Sequence, residues 1–188
     1  MKNMKRLLLA LAVLAIGGAV SADETRLKSN VMPEMRERVF AVKPEEIGLS
    51  KSNYPAEVWG ILMETGFKGG GAYSLVVLAD GTTSLYFSTG AGVIGAGQHE
   101  QVRKASMHLL AGANHYLSEA KAATSHPLPS TGQVTFYFLS YKGLFSYTAP
   151  EQSLGEGRDK LSKLFHAGHQ VISEVRQLEQ NRQETSKP

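Results

Sequence analysis

The stretch SLVVLADGTTSLYF, residues 74–87, decides the fold class of this chain. Two β-rich segments, 74–79 and 82–87, flank Asp80-Gly81, and Asp-Gly between such segments is a strong β-hairpin signal. In the hairpin turn that Asp-Gly favours, both central residues take positive φ. The first segment is apolar on both faces, which indicates an inner strand, whereas the second alternates more clearly. This hairpin predicts an antiparallel sheet.

Further strands and two helices follow from the same kind of pattern. Residues 58–67, 134–139 and 144–148 have the composition of strands. Apolar residues recur at helical spacing over 98–120 and 158–180. The element order is therefore β-β-β-α-β-β-α. We predict an α+β fold, with a mostly antiparallel five-stranded sheet and two amphipathic helices.

Each predicted helix has a glycine near its middle, on its apolar face. These residues are Gly112 and Gly168. A glycine inside a helix costs about 1 kcal/mol relative to alanine. We therefore expect both glycines to mark points of close approach to the sheet or to the other helix.

Residues 1–22 have the organisation of a secretory signal peptide. A basic start precedes the apolar segment 7–16, and Val20-Ser21-Ala22 supplies small residues for cleavage. That segment is ten residues long, whereas a membrane-spanning helix needs roughly 20. We expect a mature protein that begins at Asp23 and is exported to the periplasm or the extracellular space. An uncleaved N-terminal anchor is the alternative.

The rest of the chain divides into three parts. Residues 23–56 are charged and contain three prolines, which predicts a lead-in segment with a mobile linker before Arg36. A short edge strand is expected over Arg38–Val42. Residues 57–180 then form a single α+β domain, and 181–188 form a flexible polar tail.

Composition excludes several classes of function. The chain has 20 basic and 17 acidic residues, and three of the bases but none of the acids lie in 1–22. The mature part is therefore formally neutral, which argues against nucleic-acid binding and, after signal cleavage, against membrane binding. The absence of cysteine excludes thiol nucleophiles, redox pairs and cysteine zinc sites. We expect no cofactor.

A glycine-rich stretch between a predicted strand and a predicted helix is the first candidate site. Loop N–H groups and a helix N-terminus favour anions. The pattern matches G-x-G-x-x-G, but the preceding strand belongs to a hairpin, so dinucleotide binding is not expected. A tight connection from sheet to helix is the alternative interpretation. The candidate ligand-binding residues are Gly90, Gly92, Gly95 and Gly97, followed by His99 and Glu100 as a candidate acid/base pair.

Three histidines are weak candidates for metal binding. His108 and His115 are seven residues apart and share a side of the first helix. His169 lies beside the apolar face of the second helix. Zinc accepts such ligands, but the chain has no compact motif such as H-E-x-x-H. We therefore predict no metal site and name these histidines as candidates only.

Aromatic residues are dense in the second hairpin. Alternation places Phe136 and Phe138 on one side of their strand, which predicts core positions. Tyr137 and Tyr141 lie on the other side. That side either lies under a second layer or forms an exposed face that would favour a homodimer or a protein partner.

The chain resembles a group of uncharacterised bacterial proteins in three segments, which are VWGILMETG (58–66), LADGTTSLYFS (78–88) and the glycine-rich stretch. The resemblance covers roughly residues 40–178 and brings no known activity. The element order also resembles the roadblock or longin-type sandwich and, more loosely, profilin. These folds commonly serve as dimerising or partner-binding scaffolds.

The sequence favours an exported module that binds a partner or a small ligand without catalysis. A homodimer or a protein partner is the expected form of interaction. The alternative is a small enzyme or a binder of anions or phosphate ligands, in which the glycine-rich stretch acts with His99 and Glu100.

Overall fold

The hairpin of residues 74–87 lies within an antiparallel sheet in a computed structural model that describes residues 33–185. In the described part of the chain the sheet has seven strands in the order β4-β3-β2-β1-β6-β7-β5. The α+β class and the antiparallel pairing agree with the prediction, whereas five strands were expected. The strands are β1 (Val58–Gly66), β2 (Ala72–Leu78), β3 (Thr83–Phe87), β4 (Gly92–Val93), β5 (Lys121–Ala122), β6 (Gln133–Ser140) and β7 (Gly143–Pro150).

The two unexpected strands are short edge strands. β4 lies inside the glycine-rich stretch and pairs with β3, while β5 pairs with β7 at the opposite edge. Each has only two residues, which is too little for a periodic pattern to reveal. Pairing to a neighbouring strand, rather than local sequence, produces them.

The turn of the first hairpin differs from the expected type. Gly81 has φ +94°, but within the described residues positive φ is confined to glycine, so Asp80 does not take it. The Gly81 N–H donates to the Leu78 carbonyl oxygen at 3.1 Å. The Asp80 carboxylate accepts from the Thr82 N–H at 2.9 Å. One glycine and one aspartate side chain therefore close this turn.

Four α-helices lie in the described residues, where two were expected. They are α1 (33–41), α2 (Glu100–Tyr116), α3 (Glu151–Gly155) and α4 (Ser162–Thr185). Helices α2 and α4 are the two predicted helices. Helix α4 continues through 181–185, where a flexible tail was expected. Residues 186–188 lie outside the described part, as do the predicted signal peptide and Asp23.

Helices α2 and α4 cover one face of the sheet, which we call the first face. Its core includes Ile61, Leu75 and the predicted core residues Phe136 and Phe138. A methyl group built at Gly168 would lie 2.5 Å from the Met63 sulfur, and one at Gly112 would lie 3.3 Å from Leu164 Cδ1. The expectation that both glycines mark close contacts is confirmed. Gly168 brings α4 onto the sheet, and Gly112 brings α2 onto α4.

The lead-in segment covers the opposite face of the sheet, which we call the second face. Residues 33–41 form α1 instead of the edge strand expected over Arg38–Val42, and the chain is helical before Arg36, where a linker was expected. Met35, Val39 and Phe40 of α1 pack onto an apolar cluster of this face. The cluster contains Trp59, Leu62, Val76, Leu78, Tyr86, Tyr137 and Leu139.

Helical spacing explains why α1 is not a strand. Met35 and Val39, and likewise Arg36 and Phe40, are four residues apart and so share one side of a helix. The sheet offers this side an apolar surface to cover, which stabilises a short helix that would be marginal alone. Tyr137 is 2% exposed as a result. The tyrosine side of the second hairpin therefore lies under a second layer.

Within residues 33–185, no helix is both long enough and apolar enough to cross a membrane.

Candidate functional site

A row of polar side chains crosses the mainly apolar second face. The row consists of successive cross-strand partners, which are Ser74 of β2, Glu64 of β1, Thr135 of β6 and Thr148 of β7. The Ser74 hydroxyl donates to the Glu64 carboxylate at 2.6 Å. The hydroxyls of Thr135 and Thr148 are 2.9 Å apart. Side chains at such positions are direct neighbours, so the row extends from a buried carboxylate to β7, the strand next to the edge strand β5.

The carboxylate in this row forms a buried ion pair with α1. Glu64 is 0% exposed and Arg36 is 6% exposed. Arg36 Nε donates to Glu64 Oε1 at 2.7 Å, and Arg36 Nη2 donates to Glu64 Oε2 at 2.8 Å. A charge without a partner at such a depth would be strongly unfavourable. The pair therefore fixes α1 in position over the sheet.

The guanidinium of Arg36 also contacts two aromatic rings and a loop. It lies 4.8 Å from the ring centre of Phe40 and 5.8 Å from that of Tyr137. Its Nη2 donates a further bond to the carbonyl oxygen of His126. Arg36 thus connects α1, the sheet and the chain that follows β5.

Residues 123–130, which we call the cover loop, run above the second face of β6 and β7. Burial, together with the nearby Glu64 carboxylate, raises the pKa of Tyr137 to about 12. The phenol therefore keeps its proton, and it donates to the Pro127 carbonyl oxygen at 2.7 Å. The His126 ring stacks on Phe40 with 4.0 Å between ring centres.

A cleft of about 430 Å³ separates the cover loop from the two strands. Its floor includes Thr135 and Tyr137 of β6 with Ser146 and Thr148 of β7. Ser125, Ser130 and Leu128 are among the loop residues of its wall, and Leu128 is 45% exposed. None of the described residues that line the cleft is charged.

More than half of the residues that line the cleft carry hydroxyl groups. Hydroxyls both donate and accept hydrogen bonds, so they can orient a polar ligand. General acid–base catalysis usually needs a histidine, a carboxylate or an amine within hydrogen-bond reach of the reacting atoms. Among the described lining residues, the only side chain that titrates is Tyr137, and its phenol already donates to Pro127.

The glycines of the first predicted site have structural positions in the sheet and its connections. Gly90 lies in the turn before β4 with φ +89°, and Gly95 precedes a 3₁₀ turn with φ +73°. Gly92 belongs to β4. Gly97 is buried against the hairpin turn, where a methyl group would overlap the carbonyl oxygen of Gly81. These positions match the alternative interpretation of a tight connection; anion binding stays a prediction.

His99 and Glu100 follow this connection on the surface. His99 is the residue that precedes α2, and its Nε2 lies 3.2 Å from Arg182 Nη2. Glu100 forms an exposed ion pair with Lys104 at 2.7 Å. Neither residue lines the cleft under the cover loop. Their proposed acid/base role stays a prediction.

Replacing Gly97 by alanine is expected to lower the free energy of unfolding by about 1–3 kcal/mol, the usual cost of overpacking. The added methyl group meets backbone at Gly81, which cannot rotate away as a flexible side chain can. Chemical denaturation measures the effect. Gly155→Ala is the matched control, because its methyl group would lie 3.8 Å from the nearest atom, in Phe165. Equal stability of both variants would contradict the close approach at Gly97.

The three candidate metal ligands lie in different surroundings. His108 and His115 line a small groove between α2 and α4. His169 packs edge-on against Phe165, with 4.3 Å between ring centres. Burial, with contributions from Arg176 and His166, lowers the pKa of His169. Across residues 33–185, no group of three or more His, Cys, Asp or Glu side chains is placed to hold a metal ion.

Sequence reasoning missed the three main features of the second face: Arg36, Glu64 and the cleft. One signal was present, because Glu64 is the only charged residue of the buried strand β1. A buried carboxylate needs a cationic partner or hydrogen-bond donors. Arg36 is 28 positions away and lies at the end of the expected linker, so no spacing rule connects the two residues.

The chain matches no protein-family model, and comparisons with curated proteins and with solved structures found no match either.

Proposed function

We propose that the protein is an exported, non-catalytic binding module whose ligand site is the cleft under the cover loop. The observation that carries the proposal is the lining of the cleft, which is rich in hydroxyls and uncharged in the described residues. The signal-peptide pattern of residues 1–22 supports export.

The lining favours a neutral, polar ligand of small size. A charged ligand would lose hydration on entry and would find no opposite charge among the described lining residues, which is unfavourable. A purely apolar ligand would leave Thr135, Ser146 and Thr148 without new partners. The volume of about 430 Å³ lies within the range of small-molecule sites, roughly 300–1,000 Å³. We therefore propose a ligand with several hydroxyl or amide groups.

An amide-resolved NMR titration tests this proposal. Trehalose and N-acetylglucosamine are neutral probes, and inorganic phosphate is the charged comparison. We expect the neutral probes, but not phosphate, to shift amide signals in 122–130, β6 and β7. Shifts confined to 90–100 with phosphate would instead support the anion-binding alternative.

A matched pair of variants checks where the probes bind. Thr148→Trp places a large ring at the cleft, whereas Thr89→Trp places the same ring at an exposed position outside it. The first variant should lose the shifts and the second should keep them. Signal broadening that rises with protein concentration, with no shift from any neutral probe, would overturn the small-ligand proposal in favour of a homodimer.

A further inference from the structure

The cover loop is attached to α1 by contacts from successive turns of that helix. Arg36 donates to the His126 carbonyl oxygen, and Phe40 stacks on the His126 ring. The carboxylate oxygens of Glu37 lie 3.1 Å from His126 Nε2. The wall of the cleft is therefore held by α1, which precedes β1 in the chain, in addition to the Tyr137 phenol that donates to the Pro127 carbonyl oxygen.

These contacts differ in strength from those that hold the sheet together. The side chains of His126 and Glu37 are 29% and 63% exposed, and water competes for a hydrogen bond between such groups, so this contact contributes little to stability. The Arg36–Glu64 pair below them is buried and bidentate. Because local opening uses the weakest contacts first, the loop can separate from α1 while the sheet and the buried pair stay intact.

We infer that α1 is a strap that holds the cover loop over the cleft and thereby controls access to its floor. The inference rests on the proposed function only where it concerns a ligand. Access of a small reagent to the floor of the cleft can be measured without one. If a ligand binds more tightly when the loop is docked on α1, then ligand binding also favours docking of the loop, by the same factor.

The absence of cysteine allows a direct measurement of access. Thr135→Cys places a thiol at the floor of the cleft, where the native side chain is 4% exposed. Ser84→Cys places a matched thiol at a position of the sheet that is 1% exposed and does not line the cleft. Dithionitrobenzoate then reports the labelling rate of each thiol in the folded protein.

His126→Ala is the variant that releases the loop, since it removes the ring stack and the contact with Glu37 but keeps the backbone carbonyl. We expect it to accelerate labelling of Thr135→Cys by about tenfold, because an aromatic contact and a solvent-exposed hydrogen bond together amount to roughly one factor of ten in an opening equilibrium. Labelling of Ser84→Cys should not change. His115→Ala, on the far side of the sheet, should change neither rate.

Two results would overturn the inference. If His126→Ala accelerates both thiols equally, the ring stabilises the whole fold and does not control the cleft. If it accelerates neither, the contacts of the His126 ring with α1 do not control access to the floor of the cleft. Failure of the proposed function is a different result, in which the NMR probes do not bind while the labelling rates behave as expected.

Discussion

Arg36→Met is expected to lower the free energy of unfolding by about 3–5 kcal/mol at neutral pH, the usual effect of removing one partner from a buried ion pair. Glu64 is fully buried and its carboxylate oxygens accept from Arg36 and Ser74. Without Arg36 the carboxylate keeps only the Ser74 hydroxyl as a described donor. Urea denaturation followed by circular dichroism measures the loss.

A double-mutant cycle separates the ion pair from the other contacts of Arg36. Glu64→Gln removes the charge but retains an oxygen that can accept from Ser74. In the Arg36→Met background this second substitution should recover part of the lost stability, because no unpaired charge then remains buried. If the two substitutions are simply additive, the pair is not the main reason why α1 stays on the sheet.

Gly168→Leu is expected to lower the melting temperature by about 5–10 °C, which corresponds to an overpacking cost of roughly 2–3 kcal/mol in a domain of this size. The first added carbon would lie 2.5 Å from the sulfur of Met63 and 2.7 Å from its terminal methyl group. Met63 is 0% exposed, so it cannot move into solvent. Differential scanning calorimetry measures the shift.

Two further variants show whether lost space is the cause. Gly112→Ala should melt close to the wild type, because its methyl group would meet a single side-chain carbon of Leu164 at 3.3 Å, and alanine favours the helix. The double variant Met63→Ala with Gly168→Leu should lose less melting temperature than the two single variants together. The alanine at position 63 leaves space for the leucine side chain at position 168. A wild-type melting temperature for Gly168→Leu would contradict the close approach of α4 to the sheet.

The two faces of the sheet differ in their polarity and in what covers them. The first face is a conventional apolar core under α2 and α4. The second face carries a polar row beneath α1, and this row ends in the cleft under the cover loop. Arg36 contacts the sheet, the loop and the aromatic residues around it, so the lead-in segment is part of the candidate site and not a passive connection.

Local patterns in the sequence predicted the α+β class, the antiparallel hairpins and the two long helices. Alternation over β6 and helical spacing over α2 and α4 depend on residues close in the chain, so they are visible without a structure. The helix glycines were also interpretable, because a glycine inside a helix has a known cost. Gly112 and Gly168 lie at close contacts as expected.

Only the tertiary structure decided what covers the second face and where the cleft lies. The segment RVFAV has a strand-like composition, yet it is largely helical because the sheet supplies an apolar surface for Val39 and Phe40. Glu64 and Arg36 become neighbours because α1 packs on the sheet, and Tyr137 and Pro127 become neighbours because the cover loop does. The physical reason is that burial and ion pairing depend on distance in space, whereas the patterns of a single sequence report mainly on neighbours in the chain.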